Sequence, residues 1–157
     1  MTRLSTAKLV AMLNRQLYES TTAEKFASFY YGIYDEGKCR LHYTNAGHLP
    51  PIFIRDGKAT RLDISGLVIG AFPDVSYEEH SIDLRRGDLL VAFTDGITEP
   101  ENEYGEEFGD RRLIELLLLN AHKPLEELIA VVTTAVNEWQ SSPEPMDDMT
   151  LLLARRI

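Results

Sequence analysis

Along residues 6–18 the apolar positions Leu9, Val10, Leu13 and Leu17 recur at three- and four-residue spacing. That period predicts an amphipathic helix, with Ser5 or Thr6 available as its N-cap. The pattern then shifts to aromatic and β-branched runs. "FASFYYGIY" and "RLHYTNA", separated by "DEGKC", predict a hairpin. "PIFIR" and "ATRLD" flank Asp56-Gly57, a strong turn dipeptide, and predict a second one. "YEEHSIDL" and "DLLVAFT" are joined by Arg85-Arg86-Gly87, which predicts a third tight connection.

From residue 110 the helical period returns. Residues 110–121 and 124–139 read as helices, and in the second Leu125, Leu128, Ile129, Val132, Val136 and Trp139 form one apolar stripe, with Pro124 at the first helical position. Leu116 to Leu119 would cover every side of the preceding helix, as burial between a sheet and a neighbouring helix requires. After "SSPEP" the chain closes on "MTLLLARRI", an apolar run that reads as a final buried strand. Antiparallel strands, two helices and one more strand make an α+β pattern. The last strand returns to a sheet begun much earlier, so its first residues meet residues distant in sequence.

Composition narrows the class. A chain of 157 residues is the size of one domain, and 44% hydrophobic with 26% charged residues is ordinary for a soluble globular protein. No apolar run approaches the roughly 20 residues that span a bilayer, and "MTRLSTAKLV" lacks the apolar core of a secretory signal. The single cysteine, Cys39, excludes an internal disulfide and fits a reducing, cytoplasmic setting. A net charge of −9 argues against nucleic acid as the main partner. It suits solubility, which alone accounts for it, and also the collection of divalent cations.

Two acidic sites stand at strand edges. Asp95 follows "LLVAFT", and Asp147-Asp148 immediately precede "MTLLLAR". If these strands are antiparallel neighbours, the end of one lies beside the start of the other, and Asp95 and Asp147 converge at one rim. Carboxylates gathered without a nearby cation repel, and a divalent ion relieves the repulsion. Oxygen-only donors suit Mg²⁺ or Mn²⁺ rather than Zn²⁺, and Gly96 permits close approach of backbone. Both carboxylate sites are equally compatible with turn formation, since Asp-Gly is a common turn pair and an Asp before a strand often closes an Asx-turn.

Other features have plainer readings. A histidine in a loop before Pro-Pro, such as His48 in "NAGHLPP", is more often a hydrogen-bonded structural residue than a catalytic one. The spacing of Cys39, His42 and His48 fits no common zinc site. Arg86-Gly87-Asp88 reads as a turn before a strand rather than an adhesion signal, and "EPENEYGEEFGD" reads as a solvated loop.

"YTNAGHLPP", "FTDGITEPENEYGEEFG" and "PMDDMTLLLAR", in this order, resemble the metal-dependent protein phosphatases (the PPM family), in their bacterial SpoIIE/RsbU-like branch. The resemblance runs from about Leu9 to the C-terminus. It implies a β-sandwich of two antiparallel sheets flanked by helices, with two Mn²⁺ or Mg²⁺ ions at one rim activating a water against phosphoserine or phosphothreonine. By motif position it makes Asp95 and Asp147 metal ligands, with Gly96 and Asp148 as neighbours and Thr94 and Glu99 as residues that orient water or ligands. Asn45 and His48 fall in a signature near the site with no assigned role, and the acidic run borders the substrate entrance. The implied substrate is a phosphoprotein, in this branch often a small STAS-type anti-anti-sigma factor. The setting is stress-responsive sigma-factor control, with a sensor domain upstream.

One motif is missing. The family's Asp-x-x-Gly-x-Gly segment, whose Asp bridges both ions, has no match in these residues. The chain is therefore expected to be a single domain over 1–157 that forms the C-terminal part of a phosphatase domain, incomplete at its N-terminus, with weak or absent activity by itself. The alternative is an inactive remnant, a pseudophosphatase that serves as a protein-binding module.

Overall fold

In the computed structural model, which describes residues 4–22, 25–63, 65–141 and 148–157, Asp56 and Gly57 both take the left-handed backbone (φ 49° and 71°). A two-residue hairpin turn requires that conformation, and β3 (Ile52–Arg55) pairs with β4 (Lys58–Arg61) directly across it. The chain divides into two compact units, residues 1–50 with 63–85 and residues 51–62 with 86–157, each built on one antiparallel sheet. Two antiparallel sheets with three helices make the predicted α+β class.

In the first unit β1 (Phe29–Asp35), β2 (Arg40–Ala46) and β5 (His80–Asp83) form a sheet in the order β1-β2-β5. The first predicted hairpin is present, in register from Phe29↔Ala46 to Asp35↔Arg40. Helix α1 (Thr6–Ser20) seals a small core of Val10, Ala46 and Ile69, flanked by Leu17, Phe29, Tyr31 and Tyr77. Its buried face differs from the predicted stripe. Thr6, Val10 and Asn14 are fully buried, whereas Leu13 is 36% exposed. The two polar residues are inside because each has partners there. Asn14 donates to the Phe72 and Pro73 carbonyls at 3.0 and 3.4 Å and accepts the Gly70 amide at 2.9 Å. The Thr6 amide and hydroxyl both donate to Glu79 Oε2, at 2.5 and 2.9 Å. Ser5 occupies the N-cap position, yet its side chain makes no capping bond.

In the second unit the sheet order is β4-β3-β6-β7, with β6 (Leu89–Phe93) between β3 and β7 (Leu151–Arg155). Helix α2 (Gly109–Asn120) packs on α3 (Leu125–Trp139) and β4, and α3 packs on β7. The α3 stripe is present with Leu128, Val132 and Val136 fully buried. Pro124 stands one place earlier than predicted, as the N-cap at ψ 150°. Arg155 donates to the Lys123 and Ala121 carbonyls at 2.7 and 2.8 Å, tying β7 to the turn between the helices.

Three further expectations are corrected. Arg85-Arg86-Gly87 does not close a hairpin, because β5 pairs with β2 in one sheet and β6 with β3 and β7 in the other. Leu119 is 75% exposed, so the leucine run of α2 is buried on one side only. Among the described residues β7 is an edge strand, half-buried on one face with Leu152 outward, and not a buried strand. No described helix is long and apolar enough to cross a membrane.

Candidate functional site

Strand β6 buries Leu89, Val91 and Phe93 and pairs antiparallel with β7, Phe93 opposite Leu151. The end of β6 therefore lies beside the start of β7, the condition under which the carboxylate segments are expected to converge. One residue further, Thr94 ties the two strands together three times. Its amide donates to the Thr150 carbonyl at 3.1 Å. Its hydroxyl accepts the Thr150 amide at 2.9 Å and donates to the Asp148 carbonyl at 3.2 Å.

The chain then turns through a single 3₁₀ turn, Asp95–Ile97. Backbone bonds hold it: the Ile97 amide reaches the Thr94 carbonyl at 3.0 Å, and the Thr98 and Glu99 amides both reach the Asp95 carbonyl at 2.8 Å. Ile97, fully buried, anchors it. Gly96 is required by space. A Cβ there would stand 2.5 Å from the Asp148 carbonyl oxygen, which backbone cannot yield cheaply. Thus Thr94, Asp95, Gly96 and Asp148 are brought to one rim of the second sheet, with Glu99 exposed just beyond. Asp147 lies outside the described residues.

The Asp95 carboxylate is exposed, and its Oδ1 accepts the Gly96 amide at 3.0 Å, the local contact expected of an Asp-Gly turn. It makes no ion pair with a described residue. The side-chain donors here are oxygens only, the chemistry of a Mg²⁺ or Mn²⁺ site. The described residues contain no group of three His, Cys, Asp or Glu that could hold a metal ion. Donors of this kind fit an oxygen-ligated divalent cation as part of a coordination sphere, and Asp95 and Asp148 are the described carboxylates at the rim.

The "NAGH" segment belongs to the first unit. Asn45 is 4% exposed and bonds both ways to His48, whose amide donates to Asn45 Oδ1 at 2.8 Å while Asn45 Nδ2 donates to the His48 carbonyl at 2.9 Å. His48 Nδ1 lies 2.9 Å from the Leu49 carbonyl, which can only accept and so places a proton on that nitrogen. Gly47, at φ 75°, completes a turn that adjoins Ser65 and Val68.

The sequence profile of the family "Stage II sporulation protein E (SpoIIE)" matches residues 1–157. The chain belongs to the SpoIIE family. It is 28% identical over 159 residues to the phosphoserine phosphatase RsbU of Bacillus subtilis, an alignment covering 99% of this chain and 46% of RsbU. The SiaA-PP2C domain of Pseudomonas aeruginosa superposes with a TM-score of 0.84 at 23% identity, covering 96% of this chain and 61% of that one. The manganese-presoaked phosphatase domain of SpoIIE from Bacillus subtilis gives 0.68 at 21% identity, covering 99% and 67%. These likenesses show the PP2C-type phosphatase fold. The chain spans less than half the length of the curated relatives it matches.

Beyond the rim lies the acidic run, which the sequence pattern reads as a solvated loop and the family resemblance puts at the substrate entrance. The acidic run after Asp95 is exposed, but it is fastened to α2 and α3. Trp139 Nε1 donates to the Glu106 carbonyl at 2.9 Å, and the Arg112 guanidinium sits 4.0 Å over the Trp139 ring. Arg112 also donates to the Glu107 and Phe108 carbonyls at 3.1 and 3.2 Å. Within the loop Asn102 Oδ1 accepts the Tyr104 and Glu106 amides at 2.9 and 3.0 Å. Asn102 with Gly105 three residues on was the readable signal, a turn former followed by a position at φ 74°.

Proposed function

We propose that these residues form the metal-binding part of a protein serine/threonine phosphatase domain acting on a phosphorylated regulatory protein in the cytoplasm. A small STAS-type anti-anti-sigma factor is the substrate class its SpoIIE/RsbU-like membership favours. The observation that carries the reading is the exposed Asp95 carboxylate, presented at a sheet rim by a turn whose backbone bonds do not need it, with the Asp148 backbone packed against Gly96. Asp95 and Asp147 would hold the cation, and Asp148 follows Asp147 in the chain. Mn²⁺ or Mg²⁺ supplies Lewis-acid activation of water and neutralises charge on the phosphoryl oxygens. Glu99, exposed four residues past Asp95, would orient water at the rim. The fastened loop 101–108 holds the adjoining chain in one shape, so that a phosphoprotein meets a preformed surface.

In the family the bridging carboxylate comes from an Asp-x-x-Gly-x-Gly segment, which these 157 residues do not contain. That absence favours a second reading, a partner-binding module without catalysis. Phosphate release from a phosphoserine STAS protein, assayed with and without Mn²⁺, separates the two. Turnover by the full gene product that needs Mn²⁺ and is lost in Asp95→Asn is expected, with little or none from the 157 residues alone. Turnover that survives chelation or Asp95→Asn contradicts the phosphatase reading, and stoichiometric binding of the phosphoprotein without turnover favours the module.

A further inference from the structure

Resting on that reading of the rim, we infer that Thr94 is a positioning residue that sets the 148–150 segment against Asp95 through its hydroxyl. The two carboxylate segments are 52 residues apart in the chain (147 − 95), and ladder pairing ends at Phe93↔Leu151. Beyond that pair one backbone bond remains, from the Thr94 amide to the Thr150 carbonyl at 3.1 Å, and the Thr94 hydroxyl supplies two more ties to residues 148–150. One hydroxyl accepts from the Thr150 amide and donates to the Asp148 carbonyl, spending its one proton on the segment that leads from Asp148 into β7.

Gly96 sets the opposite limit. The Asp148 carbonyl is drawn in by the hydroxyl until it occupies the space where a Cβ at position 96 would be, 2.5 Å away. A pulling hydrogen bond on one side and an absent side chain on the other define the separation of the two segments. A carboxylate site depends on that separation, because a cation is held well only when its ligands are fixed at bonding distance by the groups behind them. The Thr94 hydroxyl is therefore committed to backbone and acts through Asp148. Its role in this inference is to position Asp148 rather than to bind the cation.

Thr94→Val keeps the β-branched shape and removes the hydroxyl, whereas Thr94→Ser keeps the hydroxyl. Mn²⁺ affinity of the full gene product is measured by calorimetry for both variants, for Asp95→Asn and for the wild type. Amide exchange at residues 148–150 is followed in metal-free protein. Thr94→Val should weaken Mn²⁺ binding by about 10-fold or more, Thr94→Ser should restore it, and exchange at Thr150 should quicken in the valine variant only. If Thr94→Val does not fold, Gly96→Ala, which displaces the Asp148 carbonyl and leaves the hydroxyl, should weaken Mn²⁺ in the same way. Wild-type affinity in Thr94→Val or, failing that, in Gly96→Ala overturns the inference while leaving the site intact, even if the melting temperature falls. Absence of Mn²⁺ binding in the wild type, or equal binding by Asp95→Asn, removes the site and the inference together.

Discussion

At the end of β2 the chain turns through Asn45-Ala46-Gly47-His48, and at the end of β6 through Thr94-Asp95-Gly96-Ile97. Both turns follow a buried strand and both contain a glycine that an L side chain could not replace without collision. They differ in what holds them. The first is held by a side chain: the Asn45 amide is buried and bonded at both ends to the His48 backbone. The second is held by backbone bonds, by buried Ile97 and by the Thr94 hydroxyl, while the Asp95 carboxylate stays exposed with one local contact. A buried polar group with all its partners costs stability when removed. An exposed carboxylate in a turn that stands without it is available to a ligand. A second carboxylate marks the opposite extreme: Asp88, 4% exposed, pairs with Arg55, its Oδ2 lying 2.5 Å from Nη2.

The contrast predicts where each substitution acts. Asp95→Asn should lower Mn²⁺-dependent phosphate release by about 100-fold or more, with unfolding free energy moved by no more than about 0.5 kcal/mol. Steady-state kinetics and urea titration on one preparation test both halves. Asp88→Ala should do the reverse, costing about 3 kcal/mol of stability by removing the buried carboxylate that pairs with Arg55, as read from the urea midpoint. Asn45→Ala should cost about 2 kcal/mol by stranding the His48 amide and carbonyl, with Mn²⁺ affinity retained. Parallel loss of Mn²⁺ binding there would break the contrast between the two turns. His48→Ala should be mildest, about 0.5–1 kcal/mol for one ring-to-carbonyl bond, checked by thermal unfolding.

Much of the fold was legible because its signals are local. Asp56-Gly57 needs left-handed backbone at both positions, and the apolar stripe of α3 has no other use. That the closing strand returns to an earlier sheet was readable, whereas its place beside β6 was only a condition under which Asp95 and Asp147 converge. What escaped depended on partners far along the chain. Asn14 and Thr6 look like solvent-facing helix residues until Gly70, Phe72 and Glu79 arrive beside them. Arg85-Arg86-Gly87 signals a turn without saying which sheet receives the next strand, and "TLLLAR" looks the same on an edge as in a centre. The acidic loop is ordered by Trp139 and Arg112, whose roles no spacing discloses. At the site, the Asp95-Gly96 turn was readable, whereas the dual use of the Thr94 hydroxyl follows only from the register at Phe93↔Leu151.

Direct Mn²⁺ titration of the full gene product against its Asp95→Asn variant, by calorimetry in chelator-treated buffer, bears most closely on the rim as a metal site. Saturable Mn²⁺ uptake by the wild type that disappears in Asp95→Asn, at unchanged thermal unfolding of the metal-free proteins, is the result predicted. Equal uptake by both proteins, or none by either at millimolar Mn²⁺, would contradict it.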